Sequence, residues 1–175
     1  MDRRRLPIGI QTFRELREEN AYYVDKTPYI RRLLDEGKHY FLSRPRRFGK
    51  SLFLDTLKEL FEGSEELFAG LYIHDRHKWS ECNPVVRLSF GSANFKEPGR
   101  LDEDVTLQLE YLEEEAGIPP RRVNASSRFR RLLQALHRKT GRRVAVLVDE
   151  YDKPILDALE AVSYTHLTLP TKRIV

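Results

Sequence analysis

Tyr40-Phe41-Leu42-Ser43-Arg44-Pro45-Arg46-Arg47-Phe48-Gly49-Lys50-Ser51 is a short apolar run that enters a Gly-Lys-Ser tripeptide. Beyond it, Leu52, Phe53, Leu57, Leu60 and Phe61 recur at helical spacing, and Gly63 marks a stop. A strand ending at Leu42 or Ser43, a tight turn and a helix starting near Lys50 are the frame of a nucleotide-phosphate loop. In such a frame the helix start offers unpaired amides and the positive end of its dipole to an anion. Gly49 lets the backbone take positive φ and approach the ligand closely. Lys50 is then the residue for the β- and γ-phosphates, and the Ser51 hydroxyl is a magnesium ligand. The whole contacting stretch is Arg46, Arg47, Phe48, Gly49, Lys50, Ser51 and Leu52.

The loop departs from G-x-x-x-x-G-K-[ST] at one place. The first glycine falls at position 44, which is arginine, followed by Pro45. Arg46 and Arg47 would supply charge where the missing glycine reduces the wrapping of phosphates. Gly-Lys-Ser is a common tripeptide, so a helix start with no ligand is the plain alternative.

A second element decides between these two. Val144 to Val148 is an unbroken apolar run that ends in Asp149-Glu150. Such a run suits a central strand buried on both faces, and a carboxylate at its end lies where open α/β sheets bind ligands. Asp149 is read as the outer-sphere magnesium ligand. Glu150 is read as the base that polarises an attacking water. A nucleotide phosphate and magnesium are the ligands this pair of motifs calls for.

With these residues in view the chain resembles a family. Leu6-Pro-Ile-Gly-Ile10, Tyr23-Val-Asp-Lys-Thr27, Arg44 to Leu52, Pro84-Val-Val86 and Val148-Asp-Glu-Tyr-Asp-Lys-Pro154 look like the predicted AAA-ATPase-like family of bacteria, over roughly Leu6 to Leu159. The resemblance implies a three-layer α/β P-loop NTPase fold with a parallel sheet. It implies that Arg44 is the family's own form of the loop, and that the nucleotide is ATP. It also implies a PD-(D/E)XK nuclease-like domain further along the parent protein.

The remaining pattern alternates helix and strand. Gln11 to Glu19, Thr27 to a stop at Gly37, and Glu65 to Ala69 read as helices, and Val85 to Phe90 as a strand. Leu101, Val105, Leu109 and Leu112 form one amphipathic stripe; Phe129, Leu132, Leu133 and Leu136 form another. The first of these helices is acidic. The stretch Arg121–Arg143 is basic, and could meet nucleic-acid phosphates or simply face its acidic neighbour. His74, His77 and Cys82 fit no strong zinc spacing.

The chain has 175 residues, enough for one domain with a sizeable core. One cysteine excludes an internal disulfide. No apolar stretch approaches a membrane span and no signal-peptide core follows the start, so a soluble cytoplasmic protein is expected. From Val162 onward the chain contains no acid and resembles a translated adapter tail, with one short β-like piece. Lys172 and Arg173 supply two of the net charges, so the balance of +4 falls to +2 without that tail. The expectation is a partial domain over residues 1–161 and a non-native tail over 162–175. The strand that should lie between the loop strand and the carboxylate strand is missing from the chain. This polypeptide is expected to bind ATP weakly and to turn it over poorly. The competing reading is a non-enzymatic module whose degenerate loop binds nucleic acid or a protein. A switch that binds ATP without turnover is the third.

Overall fold

The helix that opens at Lys50 is organised by what it must bury. In the computed structural model, which describes residues 4–10, 12–43, 45 and 48–167, with side chains as far as Glu160, this helix spans Lys50–Glu62. Three helices form the first part of the chain: α1 (Phe13–Glu18), α2 (Thr27–Glu36) and α3 (Lys50–Glu62). Two 3₁₀ turns follow, Glu65–Phe68 and His74–Arg76. The first of these is the short helix expected near Glu65–Ala69, wound as 3₁₀. Strand β1 (Val85–Ser89), helices α4 (Arg100–Glu115) and α5 (Ala125–Thr140), strand β2 (Ala145–Asp149) and helix α6 (Lys153–Leu167) complete the order. The fold class is mixed α/β.

β1 and β2 pair directly in a two-stranded sheet. The Ala145 amide donates to the Pro84 carbonyl at 2.9 Å, and the Phe90 amide donates to the Asp149 carbonyl at 3.2 Å. The two bonds advance in the same direction along both strands, so the pair is parallel. Two expectations are corrected here. Residues 40–43 form no strand, although Leu42 packs on the core while Phe41 stays exposed. Extended chain becomes strand only beside a partner, and the described sheet holds β1 and β2 alone. Nor is β2 buried on both faces: Leu147 and Asp149 are buried, whereas Val146 and Val148 are 40% and 38% exposed. Period-two burial is the signature of a strand covered on one side. The helix α6 runs on through Leu167, and the rest of the tail, residues 168–175, lies outside the described set.

Two compact units make up the chain: residues 1–85 with 140–147, and residues 86–139 with 148–175. The core of the first is Phe13, Ile30, Phe53, Leu60, Leu67, Phe68 and Ile73. Phe13 and Phe68 meet with ring centroids 4.9 Å apart, a spacing at which aromatic pairs gain beyond simple area burial. Polar groups bind the periphery to this core. Asp25 accepts from the Thr27 amide and hydroxyl and from the Tyr72 amide, and the Thr27 hydroxyl accepts from the Ile73 amide. This gives a structural reason for Tyr23-Val-Asp-Lys-Thr27: the acid caps α2 and clasps a loop from far along the chain. Gly63 closes α3 at φ +84°, with the Ser64 amide returning to Glu59. A Cβ at Gly63 would lie 2.4 Å from the Cys82 sulfur. His77 packs edge-on against Trp79, whose indole N–H donates to the His74 carbonyl.

The second unit buries Val86, Leu88, Phe95, Leu109 and Leu132. Between α4 and α5, Arg128 donates to Glu113 at 2.7 Å and to Glu110 at 2.6 Å, and Arg131 lies 3.7 Å from Glu113. The hydrogen bonds it donates to Glu110 and then to Glu113 raise the Arg128 guanidinium above its usual pKa. The acidic and basic helices therefore face one another at this point. Of the alternatives open for the basic strip Arg121–Arg143, the one in which it faces its acidic neighbour holds at Arg128, which is 4% exposed and already engaged. Further on, Asp157 of α6 accepts from the Phe95 amide and pairs with Lys153. The amide, and then the lysine, hold its carboxyl below the usual range.

Arg128→Ala leaves Glu113 charged in a buried place, and breaking such a pair costs about 3 kcal/mol or more. Urea unfolding should show that loss, whereas the exposed Arg130→Ala should cost less than about 0.5 kcal/mol. Equal values for the two variants would contradict the burial of the Arg128 cluster.

Candidate functional site

Gly49 caps α3 in the left-handed region, at φ +70° and ψ 33°. The expected backbone freedom is thus used. Its carbonyl accepts from the Phe53 amide at 3.0 Å, and no side chain caps the helix. Among the described residues, no side chain is bonded to the first-turn amides of this 13-residue helix. Lys50 is half-buried, and Ser51 and Phe48 are exposed. Leu52 packs onto the core, which holds the helix while its start stays open. Arg44, Arg46 and Arg47 lie outside the described residues.

A cation that sequence reading did not single out joins this loop. The Lys26 ammonium lies 3.5 Å from where a Cβ would stand on Gly49. Lys26 occupies the cap position of α2, next to the Asp25–Thr27 clasp. Its presence in a compact charged-aromatic motif was the signal available, but the loop it serves lies more than twenty residues away. A hollow of about 190 Å³ opens beside Gly49, between α2 and the first turns of α3.

The carboxylate half belongs to the second unit. Asp149 ends β2 with 7% exposure, one carboxylate oxygen accepting from the Glu150 amide at 3.1 Å. The other lies 3.5 Å from the Arg87 guanidinium on β1. Glu150 takes φ +51°, a strained value for a residue with a side chain. A Cβ on Gly91 would come within 2.6 Å of its carboxylate, so only glycine leaves room at 91 for this placement. The Glu150 carbonyl accepts from the Lys153 amide as the chain turns into α6, where Pro154 lies in the first turn. Arg87 and Gly91 are the partners that sequence reading missed. Each neighbours Asp149-Glu150 only through the pairing of β1 with β2.

A family model described as predicted AAA-ATPase matches residues 7–172. The chain belongs to the predicted AAA-ATPase family. It is also 52% identical over 160 residues to a protein of Azotobacter chroococcum mcd 1 described as "Uncharacterized protein in vnfD 5'region". That match covers 91% of this chain and 31% of the relative, so the predicted AAA-ATPase chain spans about a third of the relative's length. No solved structure matches it. Among the described residues no helix is long and apolar enough to cross a membrane, and no group of three or more His, Cys, Asp or Glu side chains is placed to hold a metal.

At Gly49 the one near neighbour of an added Cβ among the described residues is Lys26, at an ordinary contact distance. Gly49→Ala should therefore cost only the left-handed backbone penalty, about 1–2 kcal/mol in urea unfolding. A change below about 0.5 kcal/mol would mean that the left-handed cap is not kept in solution.

Proposed function

We propose that this chain is the nucleotide-binding part of a three-layer P-loop NTPase, and that its parent hydrolyses ATP. The observation that carries the reading is the start of α3: a left-handed Gly49 cap, Lys50 and Ser51 in the first turn, no capping side chain among the described residues, and Lys26 alongside. A helix start of this kind suits an anion through both its amides and its dipole. Membership of a predicted AAA-ATPase family points to the same chemistry.

In this proposal Lys50 and the amides of Phe48 to Leu52 hold the β- and γ-phosphates, with Arg46 and Arg47 adding charge. Ser51 on the loop, and Asp149 at the end of β2, are each candidate magnesium ligands. Their hard oxygen donors suit that ion, and the buried Asp149 carboxylate already keeps a cation, Arg87, at 3.5 Å. Magnesium, when bound, would neutralise phosphate charge and polarise the transferring group. Glu150 would orient the attacking water and accept its proton. Its placement against Gly91 in a strained backbone fits a pre-set catalytic group. The nucleic-acid reading gains no support from Arg128, which α4 already occupies.

The test uses the longer parent as well as this chain. Lys50→Ala should abolish measurable ATP binding in a calorimetric titration with magnesium. Glu150→Gln should retain ATP binding and lower phosphate release by about 100-fold or more, the range for losing a general base. A Lys50→Ala protein that binds ATP as tightly as wild type would refute the proposal. Retained binding with no turnover in either protein would instead identify a nucleotide switch.

A further inference from the structure

The hollow beside Gly49 has a composition unlike the loop it adjoins. α2 supplies Tyr29 and Leu33 to its lining, and Lys26 stands at its rim; Leu42, Gly49 and Phe53 line it from the loop side. Tyr29 and Leu33 are one turn apart, as are Gly49 and Phe53, so one face of each helix is turned to the space. Arg32 and Glu36 also line it, but they pair with each other at 3.2 Å. What remains for an occupant is carbon surface and two aromatic rings. Nothing in the phosphate chemistry proposed above uses such a surface.

Size narrows the occupant. At about 190 Å³ the space exceeds the ~150 Å³ cavity known to take up benzene, yet falls short of the ~300 Å³ at which pockets begin to enclose whole drug-sized ligands. It suits one flat ring system and leaves no room for a sugar with its phosphates. Gly49 belongs both to this lining and to the cap of α3, so a group leaving the hollow on that side meets Lys26, Lys50 and the open amides.

We infer that this hollow receives the base of a purine nucleoside triphosphate whose phosphates lie on the Gly49–Ser51 loop. The inference rests on the reading under Proposed function and adds to it the residues that hold the base. Tyr29 and Phe53 provide π-faces, and Leu33 and Leu42 exclude water. Because the paired Arg32 and Glu36 offer little edge recognition, affinity for the base comes from stacking and desolvation.

The experiment is calorimetric titration of this chain with ATP and, separately, with inorganic tripolyphosphate, both with magnesium. Wild type should bind ATP at least about tenfold more tightly than tripolyphosphate, in keeping with aromatic stacking of one base. Tyr29→Ala removes an exposed ring and should weaken ATP about tenfold while leaving tripolyphosphate unchanged. Leu33→Trp fills the space and should do the same; if it fails to fold, Tyr29→Ala decides alone. Equal wild-type affinity for the two ligands, with both lost in Lys50→Ala, would overturn the base site and leave the phosphate loop standing. Tyr29→Ala that leaves ATP affinity unchanged, or weakens both ligands alike, also overturns it. Binding of neither ligand by wild type would remove the nucleotide reading itself, and the base site with it.

Discussion

Two carboxylates on α3, Asp55 and Glu59, are buried, and a buried acid without a partner is too costly to keep. Asp55 accepts from the Phe13 amide at 2.7 Å, which is the start of α1. Glu59 receives the Arg14 guanidinium at 2.7 Å and the Ser64 hydroxyl at 2.6 Å. The same helix thus fixes the N-terminal segment on one side and its own exit turn on the other. Its apolar face, Phe53 and Leu60, fills the core at the same time. α3 is thus tied down along its length, while among the described residues no side chain answers the amides of its first turn. The open helix start is credible as a binding surface because the rest of α3 is so fully committed.

Much of this was legible in the residues. The 3.6-residue spacing of Ile30, Leu33 and Leu34, or of Leu57, Leu60 and Phe61, locates helices, because burial selects one face. Gly63 and Gly49 announce a stop and a left-handed cap, for which glycine pays no steric penalty. The apolar runs at Val85 and Val144 give both strands to within a residue or so.

What stayed hidden depends on contacts remote in sequence. Asp55 meets Phe13 across 42 residues, and Asp25 meets Tyr72 across 47. Local spacing carries no record of such pairs. The Arg128 cluster was hidden for a related reason: charge content names what a helix carries, not which way each side chain turns. An arginine between two glutamates on a facing helix reads in sequence like any solvated one. The loop strand misled for a third reason. Tyr40, Phe41 and Leu42 have strand composition, but a strand is a property of two chains, and local composition supplies one. Glu150 was legible as an acid after a strand; its left-handed backbone, rare outside glycine and asparagine, was not. Nor was the bare glycine at 91 that accommodates it.

Lys26 reaches the Gly49 turn from a different helix than the one carrying Lys50. A cation beside a helix start adds to the positive potential there, and an anion that binds the folded chain at this turn stabilises it by mass action. Melting curves recorded in phosphate and in an amine buffer with chloride would then differ, and the choice of buffer becomes an experimental variable.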